Sequence, residues 1–134
     1  MEATANPKAS LYKRIGEDKG VRALVKAFYD VIETEEYARD LNLLHLRGHG
    51  VAHSRIEQFD YLSGFLGGPA YYLQNHGHTR LKEIHEHVPI GRELRDLWLK
   101  CMAQAVDVAG LSPALADELM RHLTRAAESA RNMD

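Results

Sequence analysis

The sequence has only one cysteine, so it can form neither an internal disulfide nor a zinc site built on cysteine pairs. No apolar run reaches the roughly 18 residues that a transmembrane helix needs, so a membrane protein is excluded. The first ten residues, MEATANPKAS, lack the basic and apolar regions of a secretory signal. We therefore expect a cytoplasmic protein.

An excess of charge of one sign is also missing. The net charge is −2, and the lysines and arginines are dispersed along the chain. Nucleic-acid binding needs a concentrated basic face, so nucleic acid is not expected as the main partner. A length of 134 residues with 45% hydrophobic residues indicates one domain with a real core, residues 1–134. Residues 1–10 are predicted to be a flexible or extended N-terminal segment.

Helical periodicity dominates the rest of the chain, and no segment alternates with the period of a β-strand. Ser10 is a candidate cap for a short first helix, and Ser112 followed by Pro113 is typical of a helix start. The segment 92–109 carries Val108 on its apolar stripe. Long helices are predicted at 21–33, 51–66, 92–109 and 113–130, shorter ones at 35–44 and 79–85, and an irregular segment at 70–78. The fold class is therefore all-α.

Two polar residues interrupt the predicted core. Gln58 lies on the apolar stripe of its helix, and Tyr29 follows Phe28 in the most apolar part of another. A buried amide without a partner costs about 1–3 kcal/mol. One interpretation is local: Gln58 bonds a loop carbonyl and Tyr29 reaches the surface. The other is that both side chains point into a cavity that holds a polar ligand.

Eight histidines are the most unusual feature of the composition. His45, His49 and His53 are spaced four apart, which on one continuous helix could form a zinc site. Gly48 and Gly50 argue against a continuous helix, and no carboxylate or cysteine completes the set. Zinc therefore remains a minor alternative.

In the stretch HTRLKEIHEHVPIG, residues 78–91, His85 and His87 are further candidate metal ligands. Residues two apart on a helix point in roughly opposite directions, so at most one of the two faces the core. The apolar neighbours Ile84, Val88 and Ile90 favour His85. A neutral imidazole in such surroundings can be a metal ligand, or it can be a core side chain bonded to the backbone.

Several motifs in order, from about Leu11 to Ala130, resemble those of the truncated haemoglobins, specifically the group II (O-type) branch. They are FYD at 28–30, FLGGP at 65–69, the pattern Y…GH.RL…H from 72 to 85, PIG at 89–91, and RDLWLKCM at 95–102. The tryptophan of the last motif is characteristic of groups II and III.

The resemblance implies a two-over-two helical sandwich around haem b. It implies that His85 is the proximal ligand, bonded to iron through Nε2, with its Nδ1–H held by a backbone carbonyl. On the distal side it implies ligand-stabilising roles for Tyr29, His45, Gln58 and Trp98. It further implies pocket positions for Phe28, Ser54, Tyr61, Leu62, Ile84, Val88 and Ile90, and places Arg80 and Tyr72 near the haem propionates.

The sequence departs from the family pattern at four points. Gln58 stands where group II usually has leucine, Ile84 replaces a common arginine, and His87 replaces a common proline. One extra residue lies between His45 and the distal helix.

The function that this resemblance implies is oxygen binding or transport at a five-coordinate haem iron. The polar distal pocket predicts slow O₂ release, and NO, CO, peroxide or anions are further ligands. The alternatives are a haem redox enzyme, a nitric oxide dioxygenase or a peroxidase, served by an unidentified reductase, and a helical module without haem or with a histidine-bound zinc. His45, His49 or His53 could bind the iron when no other ligand is present. A monomer and a weak homodimer fit equally well.

Overall fold

The computed structural model describes residues 9–47 and 50–133, and the regular structure in these ranges is entirely helical. The helices are α1 (Leu11–Arg14), α2 (Glu17–Thr34), α3 (Arg39–Arg47), α4 (Val51–Phe65), α5 (Tyr71–His76), α6 (Leu81–Ile84), α7 (Arg92–Val108) and α8 (Pro113–Ala130). A 3₁₀ turn, Glu36–Ala38, precedes α3. The all-α prediction is confirmed. None of the helices in the described ranges is long and apolar enough to cross a membrane.

The four long helices form two layers. Helix α2 packs against both α4 and α7, and α7 packs against α8. Side chains from all four helices fill the space between the layers, and full burial of an aliphatic or aromatic side chain contributes about 1.5–3 kcal/mol. The largest fully buried ones are Phe28, Leu24, Ile32, Leu62, Met102, Leu119 and Leu123.

Both predicted helix caps are present. The Ser10 hydroxyl accepts a hydrogen bond from the Lys13 N–H at the start of α1. The Ser112 hydroxyl accepts one from the Leu115 N–H, and Pro113 occupies the first turn of α8. Residues 1–8 of the predicted flexible segment lie outside the described part of the chain, whereas Ser10 is fixed as a cap.

Helix α2 begins earlier than its apolar stripe. The sequence pattern starts after Gly20, but the helix starts at Glu17 and includes this glycine. A Cβ on Gly20 would lie 1.9 Å from the carbonyl oxygen of Ile15. The glycine is therefore needed for the close approach of the α1–α2 connection, and it does not mark a helix boundary.

The prediction of an irregular segment at 70–78 is wrong. Residues Tyr71–His76 form α5, which packs against α4 and ends at Gly77 in a left-handed conformation with φ of 79°. Tyr72 is buried there, and its ring stacks on that of His76 at 4.1 Å. A helix of six residues is too short for its periodicity to be recognised, and contacts with α4 stabilise it.

Val108 shows that a position on a predicted apolar stripe need not be part of the core. Val108 is 64% exposed, whereas Leu119 of α8 is fully buried. We expect Leu119→Ala to lower the free energy of unfolding by about 2–5 kcal/mol, because it leaves a cavity. Val108→Ala should change it by less than about 0.5 kcal/mol. Denaturant titration of the two variants measures both values, and a large loss in Val108→Ala would contradict the observed end of α7.

Candidate functional site

His85 lies immediately after the short helix α6, and two hydrogen bonds to one carbonyl hold it. The Leu81 carbonyl accepts from the His85 backbone N–H at 3.1 Å and from the ring Nδ1 at 2.8 Å. Because a carbonyl only accepts, Nδ1 must carry the ring proton. The lone pair of neutral His85 is therefore on Nε2, and the direction of this atom is fixed by the backbone of α6.

Burial favours the neutral form of the His85 ring. Loss of solvent lowers the pKa of His85 below its ordinary value, the hydrogen bond to the Leu81 carbonyl offsets this in part, and positive charge on the nearby His87 and His45 would lower the pKa further. His87 itself is exposed. A neutral imidazole with Nδ1–H bonded to a carbonyl is the form that binds iron or another metal through Nε2. The sequence-based preference for His85 over His87 agrees with this arrangement.

Three helices bring a cluster of aromatic rings together. Phe28 and Tyr29 of α2 are buried and meet edge to face, with ring centroids 4.9 Å apart. Tyr29 also meets the ring of His45 from α3 edge to face at 5.5 Å, and Phe28 contacts Trp98 of α7 at 5.3 Å. Phe28 and Tyr29 therefore link His45 of α3 to Trp98 of α7, which are far apart in sequence.

Tyr29 is a hydrogen-bond donor at every ordinary pH. It is 3% exposed, so the prediction that it reaches the surface does not hold. Burial raises the pKa of Tyr29 well above its usual value, and the positive charge of Arg55 offsets this only in part. The phenol therefore stays protonated and can donate a hydrogen bond through its O–H.

Arg55 fastens α4 to α2 beside Tyr29. Its guanidinium carbon lies 5.6 Å from the centre of the Tyr29 ring, and the same group donates to Asp30 at 2.9 Å and to Glu33 at 2.6 Å. The ion pairs are partly solvated and contribute little to stability. Their effect is to hold the position of α4 relative to the tyrosine.

His45 is held in the same way as His85. Its Nδ1 lies 2.8 Å from the carbonyl oxygen of Leu41, four residues earlier. The ring proton is therefore on Nδ1, and Nε2 of neutral His45 is an acceptor. His45 can accept a hydrogen bond from a protonated group in the pocket, and it donates from Nε2 only when it is itself protonated.

Gln58 of α4 carries a buried donor without a partner. Its Nε2 is inaccessible to solvent and makes no hydrogen bond to any described part of the chain. The alternative in which Gln58 bonds a loop carbonyl is therefore wrong, and an unmet buried donor of this kind costs about 1–3 kcal/mol. Ser54, one turn earlier, is half-buried. An unsatisfied donor on a helix packed against α2 is typical of a site that a polar ligand completes.

The remaining predicted pocket residues fall into two groups. The predicted wall positions are buried or half-buried: Phe28, Tyr61, Leu62, Ile84, Val88 and Ile90. Tyr72, predicted near a haem propionate, is buried and meets Tyr61 edge to face at 5.9 Å, and its place near a propionate stays a prediction. Arg80, by contrast, is 65% exposed at its side chain and donates to Glu83 at 2.7 Å. Its contact with a haem propionate stays a prediction.

The zinc alternative rested on His45, His49 and His53. His45 is on α3 and His53 on α4, so these two do not share a helix. His53 instead lies 3.4 Å from a carboxylate oxygen of Glu57. His49 lies outside the described residues. Across 9–47 and 50–133, no three histidine, cysteine, aspartate or glutamate side chains form a group that could hold a metal ion.

Comparison with known proteins identifies the family to which the chain belongs. The family model of the bacterial-like globins matches residues 10–132. The group 2 truncated haemoglobin YjbI of Bacillus subtilis is 31% identical over 112 residues, which are 84% of this chain and 80% of that protein. The chain belongs to the group II truncated haemoglobins.

Solved structures of truncated haemoglobins have the same fold. The cold-adapted protein of the Antarctic marine bacterium Pseudoalteromonas haloplanktis TAC125 matches with a TM-score of 0.87 and 32% identity, over 93% of this chain and 99% of that one. The group II 2-on-2 haemoglobin of Agrobacterium tumefaciens matches with 0.86 and 33%, over 97% and 99%. The predicted truncated-globin fold is therefore confirmed.

As a truncated haemoglobin, the protein binds haem and, at the haem, small gaseous ligands such as O₂. The residues fit that group. His85 has a free Nε2 lone pair in a half-buried setting, the walls are apolar, and the unmet donor of Gln58 needs an acceptor. Such a combination of apolar walls and few polar groups is typical of a cofactor pocket.

Sequence reasoning missed two residues that support this truncated-haemoglobin pocket. Arg55 is an ordinary charged residue in its own helix, and its partners on α2 are more than twenty positions away. Asn132 follows the last helix, and it donates to the backbone of the loop after His85. Neither belongs to a local motif, so no spacing in the sequence indicates them.

The unmet amide gives a prediction for the haem-free protein. We expect Gln58→Leu to raise the free energy of unfolding by about 1–3 kcal/mol, since it removes a buried donor without a partner. The matched control is Gln104→Leu: the Gln104 side-chain oxygen accepts from the Tyr37 hydroxyl, so this change should lower the free energy by about 0.5–1.5 kcal/mol. Denaturant titration gives both, and destabilisation by Gln58→Leu would show that its amide is satisfied without a ligand.

Proposed function

We propose that the protein holds haem b between His85 and a polar distal pocket, binds O₂ at a five-coordinate iron and releases it slowly. Haem supplies the iron at which diatomic ligands bind. Nε2 of His85 would bind the iron, and the Leu81 carbonyl, which accepts its Nδ1–H, would increase the basicity of the ring.

The observation that carries the proposal is the buried Nε2 of Gln58, which has no partner in the described protein. It lies on α4, the helix packed against the α2 that carries Tyr29. The cost of leaving such a donor unpaired is recovered when a polarised ligand accepts from it. An ordinary apolar core offers no such acceptor.

The distal residues divide into donors and one acceptor. The protonated phenol of Tyr29, the amide of Gln58 and the indole N–H of Trp98 donate, whereas neutral His45 accepts at Nε2. These donors would hold a small ligand that carries partial negative charge. Each hydrogen bond to such an acceptor is worth roughly 1.5–3 kcal/mol when well aligned.

Two such bonds slow ligand dissociation by a factor on the order of 10² or more. One structural neighbour is a truncated oxygen-avid haemoglobin from Bacillus subtilis, which is 28% identical over 92% of this chain, with a TM-score of 0.78. The neighbour supports retention of O₂ over rapid delivery.

Replacement of the axial ligand tests the assignment. We expect His85→Ala to lose the sharp Soret band that the wild-type protein shows after haem addition, and added imidazole to restore it, because free imidazole can take the vacated position. The matched control is His87→Ala, which changes an exposed ring two residues away. An unchanged spectrum in His85→Ala would exclude His85 as the ligand, and the band should persist in His87→Ala.

Removal of one phenol tests the polar pocket. We expect Tyr29→Phe to speed O₂ dissociation by roughly 10–100-fold, the equivalent of one hydrogen bond to a charged acceptor. Stopped-flow displacement of O₂ by CO measures the rate. Tyr37→Phe is the control, since the Tyr37 hydroxyl donates to Gln104 on α7 instead. Equal rates in Tyr29→Phe and the parent would remove the basis for slow release.

The nitric oxide dioxygenase and peroxidase activities that the sequence also indicates use the same pocket and stay predictions.

A further inference from the structure

Residues 131–133, which follow α8, are bonded to the loop that follows His85. The backbone N–H groups of Asn132 and Met133 donate to the Ile90 carbonyl at 3.0 and 3.1 Å. In return the Ile90 N–H donates to Oδ1 of Asn132 at 2.8 Å. The two segments are thus joined by three hydrogen bonds across more than forty positions of sequence.

The amide nitrogen of Asn132 reaches His85 itself. Its Nδ2 donates to the carbonyl oxygen of His85 at 3.2 Å and to that of Val88 at 2.9 Å. A side-chain amide has two donor hydrogens and one acceptor oxygen. In Asn132, both donor hydrogens and the acceptor oxygen are used, and all three bonds go to the backbone of the loop that follows His85.

The loop has few other means of holding its shape. Helix α6 has only four residues, and His85 is already its C-terminal cap. Pro89 has no N–H to donate. The only turn bond within the loop runs from the Val88 N–H to the His85 carbonyl at 2.9 Å, and this carbonyl is the same one that Asn132 bonds.

A cluster of ion pairs fixes the start of the segment that carries Asn132. Arg131 bonds Glu128 of α8 at 2.9 Å and the Met133 carbonyl at 2.9 Å. Glu128 also pairs with Arg95 near the start of α7. The direction in which the chain leaves α8 is therefore set by contacts with α7 as well as α8.

We propose that Asn132 is a positioning residue for His85, fixing the main chain of the residue whose Nε2 binds the haem iron. The inference rests on the proposed function. The Leu81 carbonyl sets the rotation of the ring, and Asn132 sets the place from which the ring projects. Without the second constraint, the ring would sample a wider range of positions relative to the haem, and the iron–histidine bond would weaken.

Two variants separate the bonds of Asn132. Asn132→Asp keeps an oxygen that accepts from the Ile90 N–H but places a second oxygen against the carbonyls of His85 and Val88. Asn132→Ala removes all three side-chain bonds. Met133→Ala is the matched control: its backbone bond to Ile90 remains, and the Met133 side chain is 53% exposed.

Two measurements report on the variants. The iron–histidine stretching band in the resonance Raman spectrum of the ferrous, haem-loaded protein should shift or broaden in Asn132→Asp and Asn132→Ala. Amide exchange of the Ile90 N–H in the haem-free protein should speed up by about tenfold or more in Asn132→Ala, and should stay near the wild-type rate in Asn132→Asp. Met133→Ala should move neither.

The outcomes distinguish the two proposals. If the wild-type protein shows the band and both Asn132 variants leave its position and width unchanged, Asn132 does not position His85, even if the variants melt earlier. Unchanged exchange of Ile90 in Asn132→Ala would show that the contact is not formed. A wild-type ferrous protein without any iron–histidine band would refute the proposed function, and the positioning role with it.

Discussion

The hydrogen bond from Nδ1 of His85 to the Leu81 carbonyl is the contact on which the site depends. It assigns the ring proton, leaves the lone pair on Nε2 and fixes the direction in which that atom points. His45 repeats the arrangement with the Leu41 carbonyl. In both imidazoles, one within α3 and one at the end of α6, a backbone carbonyl therefore fixes the direction of Nε2. Burial lowers the pKa of His85, which favours the neutral form needed for coordination.

The polar groups of the candidate site lower the stability of the core. Tyr29 and Gln58 bring polar groups into a region that would otherwise be packed with apolar side chains, and Gln58 leaves its donor unmet. The two-layer core around Phe28 and Leu62 offsets that cost. Arg55 adds a second kind of support: its ion pairs to α2 contribute little free energy but hold α4 against the tyrosine. Rigid placement of the donors is what makes them effective toward a ligand.

The segment around His85 relies on contacts between distant parts of the chain. A four-residue helix and a loop interrupted by Pro89 cannot by themselves hold the ring of His85 in a narrow range of positions. Helix α6 packs against α8, and the residues that follow α8 return to bond the loop. The hydrogen bonds of Asn132 therefore join the last helix to His85, which links the stability of the fold to the geometry of the site.

The sequence alone determined the features that depend on residues close together along the chain. Periodicity located α2, α4, α7 and α8, the serine caps marked two helix starts, and ordered motifs singled out His85 and Tyr29. The tertiary structure alone decided that Val108 is exposed, that α5 is a helix, and that Arg55 and Asn132 support the site. The physical reason is that packing and interhelical hydrogen bonds depend on which distant segments meet, and no local spacing records that.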